Sequence, residues 1–261
     1  MKRVGVVGIG DMGSGLALNL IKAGFETTGI DLLKLRMDNF IGFGGKPAKS
    51  VLEVAQNSDA VFVMVMNGDE AKDIILGNEG LAKNMLEGSV VILSATVKPS
   101  EAREISVAMV GSGVHIIDSP VSGGFPGAQT GTLTMMAAGI DEVLNEFAPI
   151  MEAVSSTIHR VGKEPGDGQV VKACLQSLLG SIFSATFEAA ALAAKAGVSG
   201  DVLYKVVSSS SGGCGITNSA LENIIDRKFE GTGSHIRTMH KDLTISLDLA
   251  RDLGVPLYTA S

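Results

Sequence analysis

The chain is expected to be an α/β protein in which a doubly wound parallel sheet over residues 1–164 is followed by an all-α domain over 165–261 built on one long central helix. Three observations predict this. Up to about residue 164, short apolar runs alternate with amphipathic segments, the pattern of repeated strand and helix units. After "VGKEPGDG" no segment alternates with period two, while helical spacing continues. Residues 170–197, "VVKACLQSLLGSIFSATFEAAALAAKAG", read as one long apolar helix.

In order, the first domain reads "RVGVVGI", helix 13–23, "FETTGI", helix 50–57, "AVFVMVM", helix 69–76, "SVVILSA", helix 99–110 and "VHIID". Helix 13–23 gathers Leu16, Ala17, Leu20 and Ile21 on one face and stops at Gly24, a residue suited to a helix C-terminus. Strands near 132–138 and 156–161 flank the helix "DEVLNEFAPIMEAV" and are expected to extend the same sheet. In the second domain, Lys172, Gln176, Glu188 and Lys195 interrupt the apolar helix, and Gly180, Ser181 and Ser184 keep it slim. A helix buried between domains or subunits accounts for this better than a membrane span. "SSSSGGCG" at 208–215 reads as a flexible joint, and the closing "VPLYTAS" as the start of a further helix, so the chain is expected to continue.

The 261 residues are 45% apolar and carry a net charge of −7, enough for a sizeable core and repulsive to nucleic acid and anionic lipid. Cys174 and Cys214 form no CxxC pair and no metal-ligand spacing, so a metal is not expected and a reducing cytoplasm is. The basic start before an apolar run imitates a signal peptide, but Gly5, Gly8, Gly10 and Asp11 cut the run short.

Gly8, Gly10 and Gly13 form GxGxxG directly after the first strand, with Asp11 and Met12 between the last two glycines. This strand-to-helix context makes the motif a Rossmann dinucleotide loop: a tight turn, close backbone approach to a pyrophosphate, and a helix N-terminus facing that anion. Asp31 ends the second strand at the spacing of a ribose partner. Its carboxylate accepts from ribose hydroxyls and repels a 2′-phosphate, which predicts NAD. Lys34 and Arg36 nearby soften that preference if they face the cofactor, although basic residues at a helix start are usually only solvated.

"DSPVSGGFPGAQTGTLTMMAAG", 118–139, is rich in glycine. The Ser122 hydroxyl and the N–H groups of Gly123 and Gly124 suit a carboxylate, but the segment alone reads equally well as a plain loop.

Three segments in order, "GVVGIGDMGSGLALNLIKAGF", "DSPVSGGFPGAQTGTLTMMAAG" and "GDGQVVKACLQ" followed by "HKDL", resemble the β-hydroxyacid dehydrogenase family, which includes 3-hydroxyisobutyrate, tartronate semialdehyde and L-threonate dehydrogenases. The likeness runs over nearly the whole chain. It implies a homodimer or homotetramer acting on a small hydroxy acid. It also implies Lys172 as the catalytic lysine, Ser122, Gly123 and Gly124 as the substrate-carboxylate loop, and Thr96 beside nicotinamide and substrate. Val65 and Met66 would line the cofactor and Lys241 reach over it, with Asp242 structural. Where the family usually has Asn one turn after the lysine, this chain has Gln176, which resembles the L-threonate dehydrogenase branch and implies a substrate-orienting role. Cys214 and Gly215 stand where that branch tends to have Ser-Trp.

Oxidising an alcohol by hydride transfer requires a base within reach of the hydroxyl, and Lys172 at the head of an apolar helix suits it, since desolvation lowers a lysine pKa. A lysine snorkelling from a helix end is the structural alternative. His115 and His159 read as strand residues, His235 and His240 lie off a common helical face, and Cys174 reads as an inert buried thiol. An NADPH-dependent semialdehyde or glyoxylate reductase and a non-catalytic dinucleotide sensor are the competing functions.

Overall fold

A computed structural model describes residues 2–233 and 235–261. The chain runs β1 (Arg3–Val7), α1 (Asp11–Lys22), β2 (Glu26–Ile30), α2 (Lys34–Gly42), β3 (Lys46–Pro47), α3 (Val51–Gln56), β4 (Ala60–Val63), α4 (Gly68–Leu76), α5 (Leu81–Asn84), β5 (Val90–Leu93), α6 (Pro99–Ala108) and β6 (His115–Asp118). It continues through β7 (Val121–Ser122), α7 (Gly124–Thr130), β8 (Leu133–Ala138), α8 (Asp141–Glu152), β9 (Ser155–Gly162), α9 (Asp167–Lys195), α10 (Gly200–Ser208), α11 (Gly215–Ile225) and α12 (Ile236–Asp252). Two compact units emerge, Met1–Lys172 and Ala173–Ser261. The expected 164/165 boundary lies just ahead of α9, in which the units part.

In the first unit β3-β2-β1-β4-β5-β6 stand side by side and parallel. This is the Rossmann order. β4 and β5 are buried at every residue, as strands covered by helices on both faces must be, which is why they read as unbroken apolar runs. Successive side chains feed opposite faces. Phe62 and Ile92 pack with Leu16, Leu20, Leu144 and Phe147 on one side, while Val61, Val63, Val91 and Leu93 pack with Val54, Ile75 and Ile105 on the other. Each such side chain contributes roughly 1.5–3 kcal/mol by leaving water.

The sheet does not stay parallel to its end. β8 runs antiparallel to β6 and to β7, and β9 then pairs parallel with β8. The reversal follows from a short connection: β6 reaches β8 through β7 and the single small helix α7, with no long crossover to restore direction. α7 occupies ground that its glycines and proline suggest is loop. It is held because Asn19 of α1 donates to the carbonyls of Ala128 and Gln129.

Among the described residues of the second unit the regular structure is helix, with no strand. Within it α10 and α11 form a pair, Tyr204 donating to Glu222 across them, and "SSSSGGCG" joins the two. By length and composition α9 is the one described helix able to cross a membrane. The expectation that α9 is buried is not met within the single chain: Leu178, Phe187 and Leu192 are exposed. Cys174 is corrected likewise. It is exposed rather than buried, because two positions on from Lys172 carries it about 200° round the helix, away from the buried side.

Candidate functional site

The first part of the site is built from backbone. β1 ends at Val7 and turns at Gly8, whose φ of +89° disfavours any side chain, and whose N–H donates to Ile30 at the end of β2. A Cβ on Gly13 would overlap the Gly8 carbonyl oxygen, so α1 enters the turn more closely than any other residue allows. Gly10 caps α1 without a side-chain oxygen, which leaves the first-turn N–H groups at Asp11, Met12 and Gly13 directed out of the helix end. Such an uncapped N-terminus beside a carboxylate fits a dinucleotide: pyrophosphate on the helix, ribose on Asp31.

Asp31 is itself fixed. Its carboxylate accepts the Ile9 N–H at 2.8 Å and the Leu33 N–H at 2.9 Å, and pairs with Arg36 Nη1 at 3.3 Å. Arg36 is therefore more than a solvated helix-start cation. Its guanidinium lies over the face of Gly10, 3.6 Å from where a Cβ would stand, and brings positive charge to the ribose end of the loop. Val65 and Met66 follow β4 on the same C-terminal rim of the sheet; Val65 is half-buried, Met66 is exposed, and the Met66 N–H donates to Glu70.

The second part lies at the ends of β5, β6 and β7. Thr96 is half-buried in the turn between β5 and α6. Ser122 closes β7, paired with Thr134 of β8, and Gly123 follows at a φ of +126°, which turns the chain straight into α7. Lys172 arrives here from α9. It is 7% exposed, and its Nζ donates to the Val121 carbonyl at 2.7 Å, the residue before Ser122. The structure thus sets the Lys172 amine on the residue that precedes the Ser122–Gly124 turn.

Of the remaining expected residues, Gln176 lies one turn beyond Lys172 on α9 and is buried. Its Nε2 donates to Asp242 at 2.6 Å, and its Oε1 has no partner among the described residues. Lys241 Nζ pairs with the same Asp242 carboxylate at 2.8 Å. Ser246 ties α12 back to α9 through the Ala173 carbonyl. Asp242 is thereby the anchor of a small buried polar group in the second unit.

His115 and His159 are exposed strand residues, while His235 caps α12 and His240 is exposed on it. Among the described residues no group of His, Cys, Asp and Glu could hold a metal. Cys214 stands at the α11 cap, where the hydroxyl and N–H of Thr217 lower its pKa. Two residues escaped the sequence reading altogether, Asp118 and Gln169, both wholly buried at the foot of α9. The only hint was a charged residue closing an apolar strand, "HIID".

Known proteins match this chain along its full length. The family model described as the NAD binding domain of 6-phosphogluconate dehydrogenase matches residues 3–162. The one described as NAD-binding of NADP-dependent 3-hydroxyisobutyrate dehydrogenase matches residues 166–261. The L-threonate dehydrogenase of Escherichia coli K12 is 36% identical over 99% of this chain and 85% of its own length. The NAD-dependent L-serine dehydrogenase of Pseudomonas aeruginosa is 36% identical over 82% of this chain and 71% of its own. The crystal structure of 3-hydroxyisobutyrate dehydrogenase from Salmonella typhimurium superposes with a TM-score of 0.92 at 34% identity, covering 100% of this chain and 90% of that one.

Proposed function

Because the chain belongs to the β-hydroxyacid dehydrogenase family and is an NAD(P)-dependent hydroxyacid dehydrogenase, we propose that it oxidises a small 3-hydroxy acid, L-threonate-like or 3-hydroxyisobutyrate-like, to the oxo acid with NAD, using Lys172 as general acid and base. The observation that carries this reading is the buried Lys172 amine at the Val121 carbonyl, adjoining the Ser122–Gly124 turn.

The Gly8–Gly13 loop would hold the pyrophosphate and Asp31 the ribose, and bound NAD would supply the hydride acceptor. Ser122 and the N–H groups of Gly123 and Gly124 hold the substrate carboxylate, with Thr96 beside them. Lys172 in its neutral form takes the hydroxyl proton at Nζ, and in the reverse direction its ammonium returns that proton to the carbonyl oxygen. Gln176, with its amide nitrogen committed to Asp242, offers a fixed acceptor. An acceptor suits a substrate hydroxyl, which favours a polyhydroxy acid of the L-threonate kind and agrees with the relatives of that name. Lys241 is left as a cofactor contact on resemblance alone.

Arg36 favours a second reading of the cofactor. A guanidinium paired to Asp31 offsets the carboxylate's repulsion of a 2′-phosphate, so NADP would be accepted at lower affinity, and on this second reading the protein works as an NADPH-dependent reductase. The exposed apolar residues Leu178, Phe187 and Leu192 of α9 suit a second copy of the chain, and with it a homodimer or homotetramer, while the free Cys174 and Cys214 suit a reducing cytoplasm.

The test is a reduction assay with purified protein on L-threonate, D-threonate, 3-hydroxyisobutyrate, D-glycerate and 4-hydroxybutyrate, with NAD and NADP in parallel. Preference for L-threonate with NAD supports the full reading. Turnover of 3-hydroxyisobutyrate alone removes the threonate assignment. NADH binding with no turnover of any acid makes the protein a dinucleotide sensor instead.

A further inference from the structure

Asp118 closes β6 and is fully buried; Gln169 lies in the first turns of α9 and is 1% exposed. Asp118 Oδ2 accepts the Gly166 N–H at 2.7 Å and the Gln169 N–H at 3.2 Å, and Oδ1 accepts the Gln169 side-chain amide at 2.7 Å. The same Gln169 amide nitrogen donates to the Ala95 carbonyl at 3.1 Å, and its Oε1 accepts the Val97 N–H at 3.1 Å. Gln169 therefore grips the chain on both sides of Thr96. Its amide has one orientation only, since Val97 needs an acceptor and Ala95 and Asp118 need donors.

Gln169 precedes Lys172 by less than one turn of α9, and Asp118 leads directly through Ser119 and Pro120 to Val121, the carbonyl partner of Lys172. One buried pair thus joins three parts of the proposed site: the Thr96 turn, the strand entering the Ser122 loop, and the helix carrying the amine. A lone carboxylate buried this deeply is costly, and this one is tolerated because four donors converge on it, the Gly168 N–H among them. Three of these donors are N–H groups at the start of α9 and need a cap in any case, but the Gln169 side chain reaches past the helix end to Ala95 and Val97, which capping does not require.

We propose that Asp118 and Gln169 are positioning residues that fix the first turns of α9 against the ends of β5 and β6, and thereby hold the Lys172 amine at the Ser122 loop. Neither touches substrate in this account. Misplacing a reacting group by about 1 Å can cost ~10²-fold in rate, so loss of this bracket acts on turnover more than on binding. The inference rests on the dehydrogenase reading for its kinetic consequence and on the geometry alone for the placement of Lys172.

The test compares Gln169→Met, which keeps the shape and removes the amide, with Asp118→Asn, which keeps an acceptor for the backbone and breaks only the link to Gln169. Ile150→Ala, a cavity in the core of the same unit, controls for lost stability. Full-length proteins without substrate are acetylated by an N-hydroxysuccinimide ester, and Lys172 labelling is scored by mass spectrometry against exposed Lys49. NADH affinity, kcat and KM are then measured. Local release of α9 predicts Lys172 labelling faster by roughly fivefold or more in Gln169→Met. NADH affinity should stay within about twofold and kcat fall by ~10²-fold with KM little changed. Asp118→Asn moves the same way by less, and Ile150→Ala moves neither reading. Labelling and kcat no different from Ile150→Ala would overturn the proposal, and Asp118→Asn alone decides it if Gln169→Met does not fold. If no hydroxy acid is turned over by the parent protein, the dehydrogenase reading fails, while the labelling still decides whether the pair holds Lys172.

Discussion

The dinucleotide loop and the foot of α9 are both placed at the C-terminal rim of one sheet, yet they are made of different material. The loop is backbone: Gly8, Gly10 and Gly13 run from the turn after β1 into the first turn of α1, and only Asp31, after β2, and Arg36, in α2, come from further along the chain. The foot of α9 is side chain: Gln169 meets the Ala95 carbonyl and the Val97 N–H, Lys172 meets the Val121 carbonyl, and Asp118 accepts the Gln169 amide, from segments far apart in sequence. A backbone site tolerates change at most of its positions other than the glycines, with Asp31 and Arg36 the side chains that add to it. A side-chain site depends on each partner being satisfied, because a buried group left without its partner costs about 1–3 kcal/mol.

The sharpest way to break the comparison is at Lys172. Lys172→Ala is expected to lower kcat by ~10³-fold or more, the range for loss of a general base, with NADH affinity within about twofold. Parallel binding and turnover measurements check this, and equal losses in both would merge the two regions. Gly13→Val is the converse: a side chain against the Gly8 carbonyl should weaken NADH binding by about two orders of magnitude, with Lys172 labelling unchanged. Fluorescence titration with NADH reads it, with a thermal melt confirming that the sheet is intact.

Arg36→Ala carries a smaller effect. NADPH should bind about tenfold more weakly and NADH within threefold, shifting the cofactor ratio by about 1.4 kcal/mol; an unchanged ratio would leave Arg36 only a helix-start cation. The smallest effect is on stability. Burial pushes the Asp118 carboxyl up to about 6, against the ordinary unfolded value near 3.9. Folding therefore favours the protonated form: the contribution is full below about pH 4 and is lost as pH rises towards 6. The melting temperature of the parent protein relative to Asp118→Asn should fall by a few degrees over that window and then stay flat. A constant difference between the two proteins would mean that Asp118 does not titrate there.

How much was legible in the sequence follows the same division. β4, β5 and the apolar part of β6 announce themselves because strands buried on both faces cannot carry polar residues, and α1 because one face meets the sheet. α2 does not, since Phe40 is its only buried residue and no apolar period forms. β7 has two residues and α7 carries three of the features of a loop, two glycines and a proline, so long-range pairing with β8 and α1 decides them. Gly8 to Gly13 could be read as a site because the motif is local. Lys172 needed the company of two other segments. Asp118 gave no more than a charge closing the apolar run "HIID" and Gln169 nothing, because a buried aspartate and a glutamine acquire meaning only when β6, the β5 turn and α9 come together.

The most direct test of the central claim is chemical rescue of Lys172→Ala with small primary amines, followed as NADH formed from the preferred hydroxy acid. If Lys172 moves the proton, ethylamine should restore turnover in proportion to its free-base concentration while leaving NADH affinity unchanged. Full activity in Lys172→Ala without added amine would contradict the account, and so would a loss that no amine of any size or basicity repairs while the ternary complex still forms.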